Sequence, residues 1–194
     1  MTRATWLAAL LLAALPAMAS NPDIVAASRA QVGITRLYDG SYQPLKYPGG
    51  DVPLERGVCT DVVVRALRSS RGMDLQQLVH EDMRAHWGDY PNQRRWGLRK
   101  PDRNIDHRRV PNLMVYFQRA GYALAPASEP SAYLPGDIVA WDLGRGILHV
   151  GVISDRKSVT GTPLVVHNIG AGTREEDILF RFTVIGRYRL PARG

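Results

Sequence analysis

The chain has a single cysteine, no internal repeat, and no apolar run beyond its first 19 residues long enough to cross a bilayer. One cysteine excludes an internal disulfide, and the missing repeats exclude a solenoid. The lack of a later apolar run excludes a transmembrane helix in the body of the chain. Acidic residues are also in short supply, 18 against 25 Lys and Arg, for a formal charge of +7. Such a balance points to anionic partners.

The N-terminus has the layout of a secretory leader. Arg3 precedes an apolar stretch from Trp6 to Pro16, and Ala17-Met18-Ala19 forms a small-x-small cleavage pattern. Residues 1–19 are expected to be removed, taking Arg3 with them and leaving a mature chain, residues 20–194, in the periplasm or secreted. No cysteine lies near the cleavage point, so a lipid anchor is not indicated. A basic exported protein meets cell-wall polymers and lipid surfaces rather than nucleic acid. With 45% apolar and 22% charged residues, the mature chain should form one globular domain, expected to be monomeric. Export also sharpens the question of the odd thiol, which in an oxidising compartment is reactive, bridged to another chain, or buried and inert.

Pro22 to Val32 reads as a first helix, with Asn21 as N-cap and Gly33 as its stop. A loop from Thr35 to Glu55 follows, too broken by Gly and Pro for regular structure and rich in Tyr. Cys59 then opens a helix that ends at Gly72, with Val62, Val63, Ala66 and Leu67 inward and Arg65, Arg68 and Arg71 on the remainder. Asp74 caps another helix reaching about Trp87, whose His80 and His86 read as solvated or capping residues. Residues 88–109 form a basic insertion, either a solvated face or a dock for carboxylates or phosphates with Trp96 as a stacking platform. Pro111 to Ala120 is a further helix. Beyond Tyr122 the period becomes that of strands: Ile138 to Trp141, a hairpin through Gly144-Arg145-Gly146 onto Ile147 to Ser154, then Pro163 to Asn168, and a last pair or one bent strand from Asp177 to Leu190. Helices first and consecutive antiparallel strands after is an α+β order.

A thiol in the first turn of a helix lies near the positive end of its dipole, which favours thiolate. Nucleophilic cysteine needs a base and a third group to fix the base's ring. In Ile147 to Ser154 the alternation puts His149 on the face of Gly151, which leaves room beside the ring or lets a helix pack close. On the next strand His167 and Asn168 point to opposite faces, so only one can orient His149.

Tyr47-Pro48-Gly49-Gly50, Cys59 opening a helix, Pro135-Gly136-Asp137 leading a strand, His149-Val150-Gly151-Val152 and His167 on the following strand resemble the NlpC-type cell-wall peptidases of the papain-like cysteine peptidase superfamily. Cys59-Thr60-Asp61-Val62-Val63, the basic Trp-bearing insertion and Val166-His167-Asn168-Ile169-Gly170 resemble more closely a bacterial branch, the domain of unknown function twelve eighty-seven, over about Val25 to Leu190. The resemblance implies a papain-like fold with Cys59 as nucleophile at a helix N-terminus packed on an antiparallel sheet, His149 as base and His167 as orienting residue, without a cofactor. It also implies Tyr47 beside the oxyanion region and peptidoglycan stem peptides as substrate; apart from the resemblance, Asp61 beside the nucleophile and Trp96 of the basic insertion are candidate substrate contacts. The family's usual Ser-Gly after the nucleophile is here Thr60-Asp61, and an acid so close opposes thiolate formation. Two other readings fit the same residues: a wall-binding or regulatory module of the same fold that has lost turnover, and an open three-ligand zinc site of Cys59, His149 and His167.

Overall fold

The computed structural model describes residues 20–193; the expected leader, residues 1–19, lies outside the described residues. Helix α1 (Pro22–Arg29) opens on a proline, whose missing N–H costs nothing where no intrahelical acceptor exists. Asn21 does not cap it with its side chain as expected. Its Nδ2 donates to Leu190 O at 3.0 Å and its Oδ1 accepts from Arg71, so the residue ties the two chain ends to the central helix instead. The Tyr-rich loop contributes two short segments, β1 (Leu37–Tyr38) and β2 (Arg56–Gly57), paired in parallel.

The central helix is α2 (Cys59–Arg71). Gly72 ends it at φ +66°, a left-handed conformation that a side chain would disfavour, and its N–H closes on Arg68 O. Every residue from Cys59 to Leu67 is buried, so the helix is enclosed rather than amphipathic. Arg65, placed by the sequence pattern off the inward face, is buried as well. It is 7% exposed, pairs with Asp51 at 2.9 and 3.0 Å, and donates to Val52 O and Arg56 O. These bonds fasten the loop that leads into Cys59.

Helix α3 (Leu75–Ala85) is capped by Asp74, whose Oδ1 accepts the Gln76 amide at 3.2 Å, and buries Leu75, Val79 and Met83. A 3-10 turn at Trp87–Asp89 leads into the basic insertion, which contains a short helix α4 (Asn92–Trp96) and a further 3-10 turn at Asp106–Arg108, and α5 (Val110–Arg119) follows. The remainder is a six-stranded sheet of β3 (Ala123–Leu124), β4 (Ile138–Asp142), β5 (Leu148–Lys157), β6 (Pro163–His167), β7 (Arg174–Glu176) and β8 (Thr183–Tyr188). Its order is β3-β8-β4-β5-β6-β7, with every pair antiparallel. The mixed α+β class expected from element order is the class observed.

Register decides which side chains meet. Ala140 lies opposite Val150, and Trp141 opposite His149, so alternation sends Ile138, Ala140, Val150 and Val152 to one face. There they pack with Ile24, Val63, Leu67, Leu113 and Phe117 of the helices. Val139, Trp141, Ile153 and Val165 point to the other face, under Tyr133, Ile178 and Leu179. Fully buried side chains of this size contribute about 1.5–3 kcal/mol each. Among the described residues no helix is long and apolar enough to cross a membrane.

Candidate functional site

Cys59 is the first residue of α2 and is 4% exposed. It lines a cavity of about 400 Å³ together with Tyr38, Val58, Trp96, Arg108 and Leu148. Burial pushes the thiol up to about 12, opposed by backbone hydrogen bonds from Val150, Thr60 and Cys59 itself and reinforced by the Asp61 carboxylate. Desolvation thus outweighs the helix N-terminus, and the sulfur at rest is a thiol.

The bond to Val150 sets the sulfur against the start of β5, on the face opposite His149. From that strand His149 Nε2 reaches His167 Nδ1 at 3.0 Å, while its ring stacks at 5.8 Å on Trp141. The other ring nitrogen, Nδ1, has no hydrogen-bond partner among the described residues. Sulfur and imidazole approach β5 from its two faces, and among the described residues no hydrogen bond joins them. Burial and the neighbouring His167 lower His149 to about 3, so the ring is a neutral imidazole at physiological pH. His167 Nε2 stands 3.1 Å from Glu176 Oε2, close enough for an ion pair but off the line of a well-aligned hydrogen bond. Burial lowers His167, and Glu176 works against that shift.

Gly151 makes the imidazole pair possible, though not through empty space beside the ring or a close helix. A Cβ there would fall 2.7 Å from Val165 Cγ1, 3.0 Å from Val166 O and 3.1 Å from His167 Cβ. The missing side chain lets β6 close in, bringing His167 within reach of His149. Asn168 points away: its Nδ2 donates to Gly57 O at 3.0 Å and holds β2 in front of Cys59.

Asp61 has two partners inside the protein. Its Oδ2 accepts the Val58 amide at 2.7 Å, a helix cap, and Arg108 clasps both oxygens, Nε to Oδ1 and Nη2 to Oδ2, each at 3.0 Å. Gly57 is needed here, because a Cβ would sit 3.0 Å from Asp61 Oδ2. The basic insertion is therefore not only a solvated face, since Arg108 reaches under it to the start of the cysteine helix. Trp96 does line the Cys59 cavity, with Arg109 4.5 Å and Arg95 5.5 Å from its ring. Tyr47 does not line it; its ring packs at 5.5 Å on His80 of α3 and under Arg103. The tyrosine that lines the cavity with Cys59 is Tyr38, whose hydroxyl burial makes harder to ionise. The sequence signal that missed it was the Tyr-Pro-Gly-Gly motif, which drew attention to the wrong ring of the same loop. Glu176 was missed because a lone acid on a short strand carries no pattern. No group of three His, Cys, Asp or Glu side chains is arranged to hold a metal ion among the described residues.

A family model described as "Domain of unknown function (DUF1287)" matches residues 25–190. The chain is also similar to "Uncharacterized protein YijF" of Escherichia coli (strain K12), 54% identical over 170 residues that span 88% of this chain and 82% of that protein. The match runs from α1 through the last strand and includes Cys59, His149 and His167. The chain belongs to the DUF1287 family.

Proposed function

We propose that this protein is an exported cysteine peptidase or amidase of papain-like, NlpC-type architecture, acting on peptidoglycan stem peptides or another envelope amide. The observation that carries the reading is the placement of Cys59 at the first turn of α2, against the strand whose His149 holds Nε2 3.0 Å from His167 Nδ1. The leader-like segment at residues 1–19 supports a periplasmic or secreted location, and the net charge of +7, which becomes +6 once Arg3 leaves with that segment, supports attraction to an anionic wall polymer. The working form is proposed to be a monomer without a cofactor.

In this reading the substrate amide enters the cavity between Tyr38 and Trp96. The step requires substrate binding to bring His149 Nδ1, which rests on the other face of β5, within reach of the thiol; the ring then takes the Cys59 proton as the sulfur attacks the carbonyl carbon. The oxyanion that forms is met by the Cys59 backbone N–H. His149 then returns the proton to the departing nitrogen, leaving a thioester that water cleaves to the acid and free thiol. His167 keeps the ring oriented, and Glu176 beside it favours the imidazolium that forms in passing. A neutral resting pair suits this sequence, since catalytic hydrogen bonds often tighten only when substrate is bound.

Mass spectrometry of purified muropeptides after incubation with wild type and with Cys59→Ala tests the proposal. Cleavage products from the wild type alone support it, and equal digestion by both forms removes it. A second reading, a wall-binding or regulatory module of the same fold without turnover, draws on the buried, raised thiol and the absent bond between sulfur and imidazole. It predicts retention on insoluble peptidoglycan with no product from either form.

A further inference from the structure

Residues of the basic insertion line a second cavity, of about 750 Å³, that the chemistry above leaves unused. Arg99, Lys100, Arg103 and Arg109 line it against one carboxylate, Asp102. That carboxylate is already engaged: Oδ2 accepts from the Tyr42 hydroxyl at 3.1 Å, and Oδ1 from the Asn104 amide at 2.9 Å. Arg109 is partly neutralised by Asp106 at 3.1 Å. The Arg103 guanidinium lies over the Tyr47 ring at 5.5 Å. Arg99, Lys100 and Arg103 have no acidic partner among the described residues. Like charges crowded into one concave site repel one another, and a bound anion relieves that repulsion.

We propose that this cavity binds an acidic peptide segment bearing two or more carboxylates. The four cations are spread over positions 99–109 of a single segment, which suits several separated single charges. The volume points the same way, since it lies in the range of about 300–1,000 Å³ that accepts an organic ligand rather than a lone small anion. Leu98, Pro101 and Ile105 give the walls apolar strips for the methylenes of acidic side chains. Guanidinium forks match carboxylates in bidentate fashion. Ile105 and Arg109 line this cavity and the Cys59 cavity alike, so a peptide held here presents its next amide to the sulfur. That last step rests on the hydrolase reading; recognition of the charges does not.

Calorimetric titration of the purified Cys59→Ala protein with triglutamate and with triglutamine, at low and high salt, tests the site. Triglutamate binds and triglutamine does not; added salt weakens the binding. Arg99→Gln/Lys100→Gln/Arg103→Gln, with an unchanged melting temperature, weakens it by roughly tenfold or more. No binding, equal affinity in the triple variant, or displacement of triglutamate by an equal concentration of inorganic phosphate overturns the proposal. The two readings fail separately. If the triple variant loses triglutamate while wild type cleaves no muropeptide, the anion site stands and the hydrolase falls. Muropeptide cleavage at equal kcat/KM by wild type and triple variant has the reverse meaning.

Discussion

Arg108→Ala strands a carboxylate that is buried at the start of the cysteine helix. The Arg108 and Asp61 side chains are 2% and 4% exposed and are joined through both carboxylate oxygens. Breaking such a pair from one side costs about 3–5 kcal/mol, because the remaining charge has lost its partner and has no water to replace it. Arg108 also donates to Asp39 O at 2.9 Å and Ser41 O at 3.2 Å, so its loss loosens the loop carrying Tyr38. In a domain of this size each kcal/mol moves the melting temperature by roughly 2–4 °C. Differential scanning calorimetry should therefore show a drop of about 6–20 °C. Asp61→Asn added to Arg108→Ala removes the stranded charge and keeps an oxygen for the Val58 amide, so the double variant melts above the single. A single variant within about 2 °C of wild type, or a double variant melting below it, would refute the assignment of this pair as the clamp on the helix start.

Other consequences can be checked by simpler measurements. Burial lowers His149 to about 3 and His107 to about 4, from a usual value near 6.5, while it raises Asp106 to about 6. Both histidines bind a proton more readily unfolded than folded, so their stabilisation is full above pH 6.5 and fades as pH falls toward these values. Asp106 partly offsets this as it protonates in the folded state. Urea titrations across that range should lose stability on acidification, and His149→Gln should flatten the slope by up to about 1.4 kcal/mol per pH unit; an unchanged slope contradicts a buried neutral His149. Glu176→Gln removes the charge beside His167 and should lower kcat by roughly tenfold with a shifted pH profile and little change in KM, whereas a KM effect alone would place Glu176 in binding. Asp61→Asn should shift the pH midpoint of Cys59 alkylation by iodoacetamide downward, because it removes a negative charge that raises the thiol. Trp96→Ala should raise KM with kcat nearly unchanged if its ring is a wall of the substrate cavity.

Local signals carried well from sequence to structure, and long-range ones did not. Gly72 as helix stop, Asp74 as cap and the alternation of β5 depend on neighbours a few residues away, and the folded chain keeps them. The pairing of Asp61 with Arg108 spans 47 residues, and no periodicity announces a partner at that distance. For the same reason Arg65 read as a residue off the inward face, although its carboxylate and carbonyl partners arrive from the preceding loop. Gly151 was legible as a place of close approach, but what approaches is β6, a fact of sheet register. Within the Tyr-rich loop only tertiary packing decides that Tyr38 lines the Cys59 cavity and Tyr47 packs on His80 of α3. Alternation alone leaves His167 and Asn168 as alternative partners for His149, the family resemblance points to His167, and the third member, Glu176, needs the pairing of β6 with β7.

The central claim is that Cys59 forms a covalent acyl intermediate. Intact-protein mass spectrometry of an acid-quenched mixture of the protein and muropeptides, followed by peptide mapping, tests it most directly. The account predicts a transient mass increase equal to the acyl half of the cleaved substrate, located on the peptide containing Cys59 and absent from Cys59→Ala and His149→Ala. Cleavage products released without any adduct, at a rate that Cys59→Ala leaves undiminished, would contradict it.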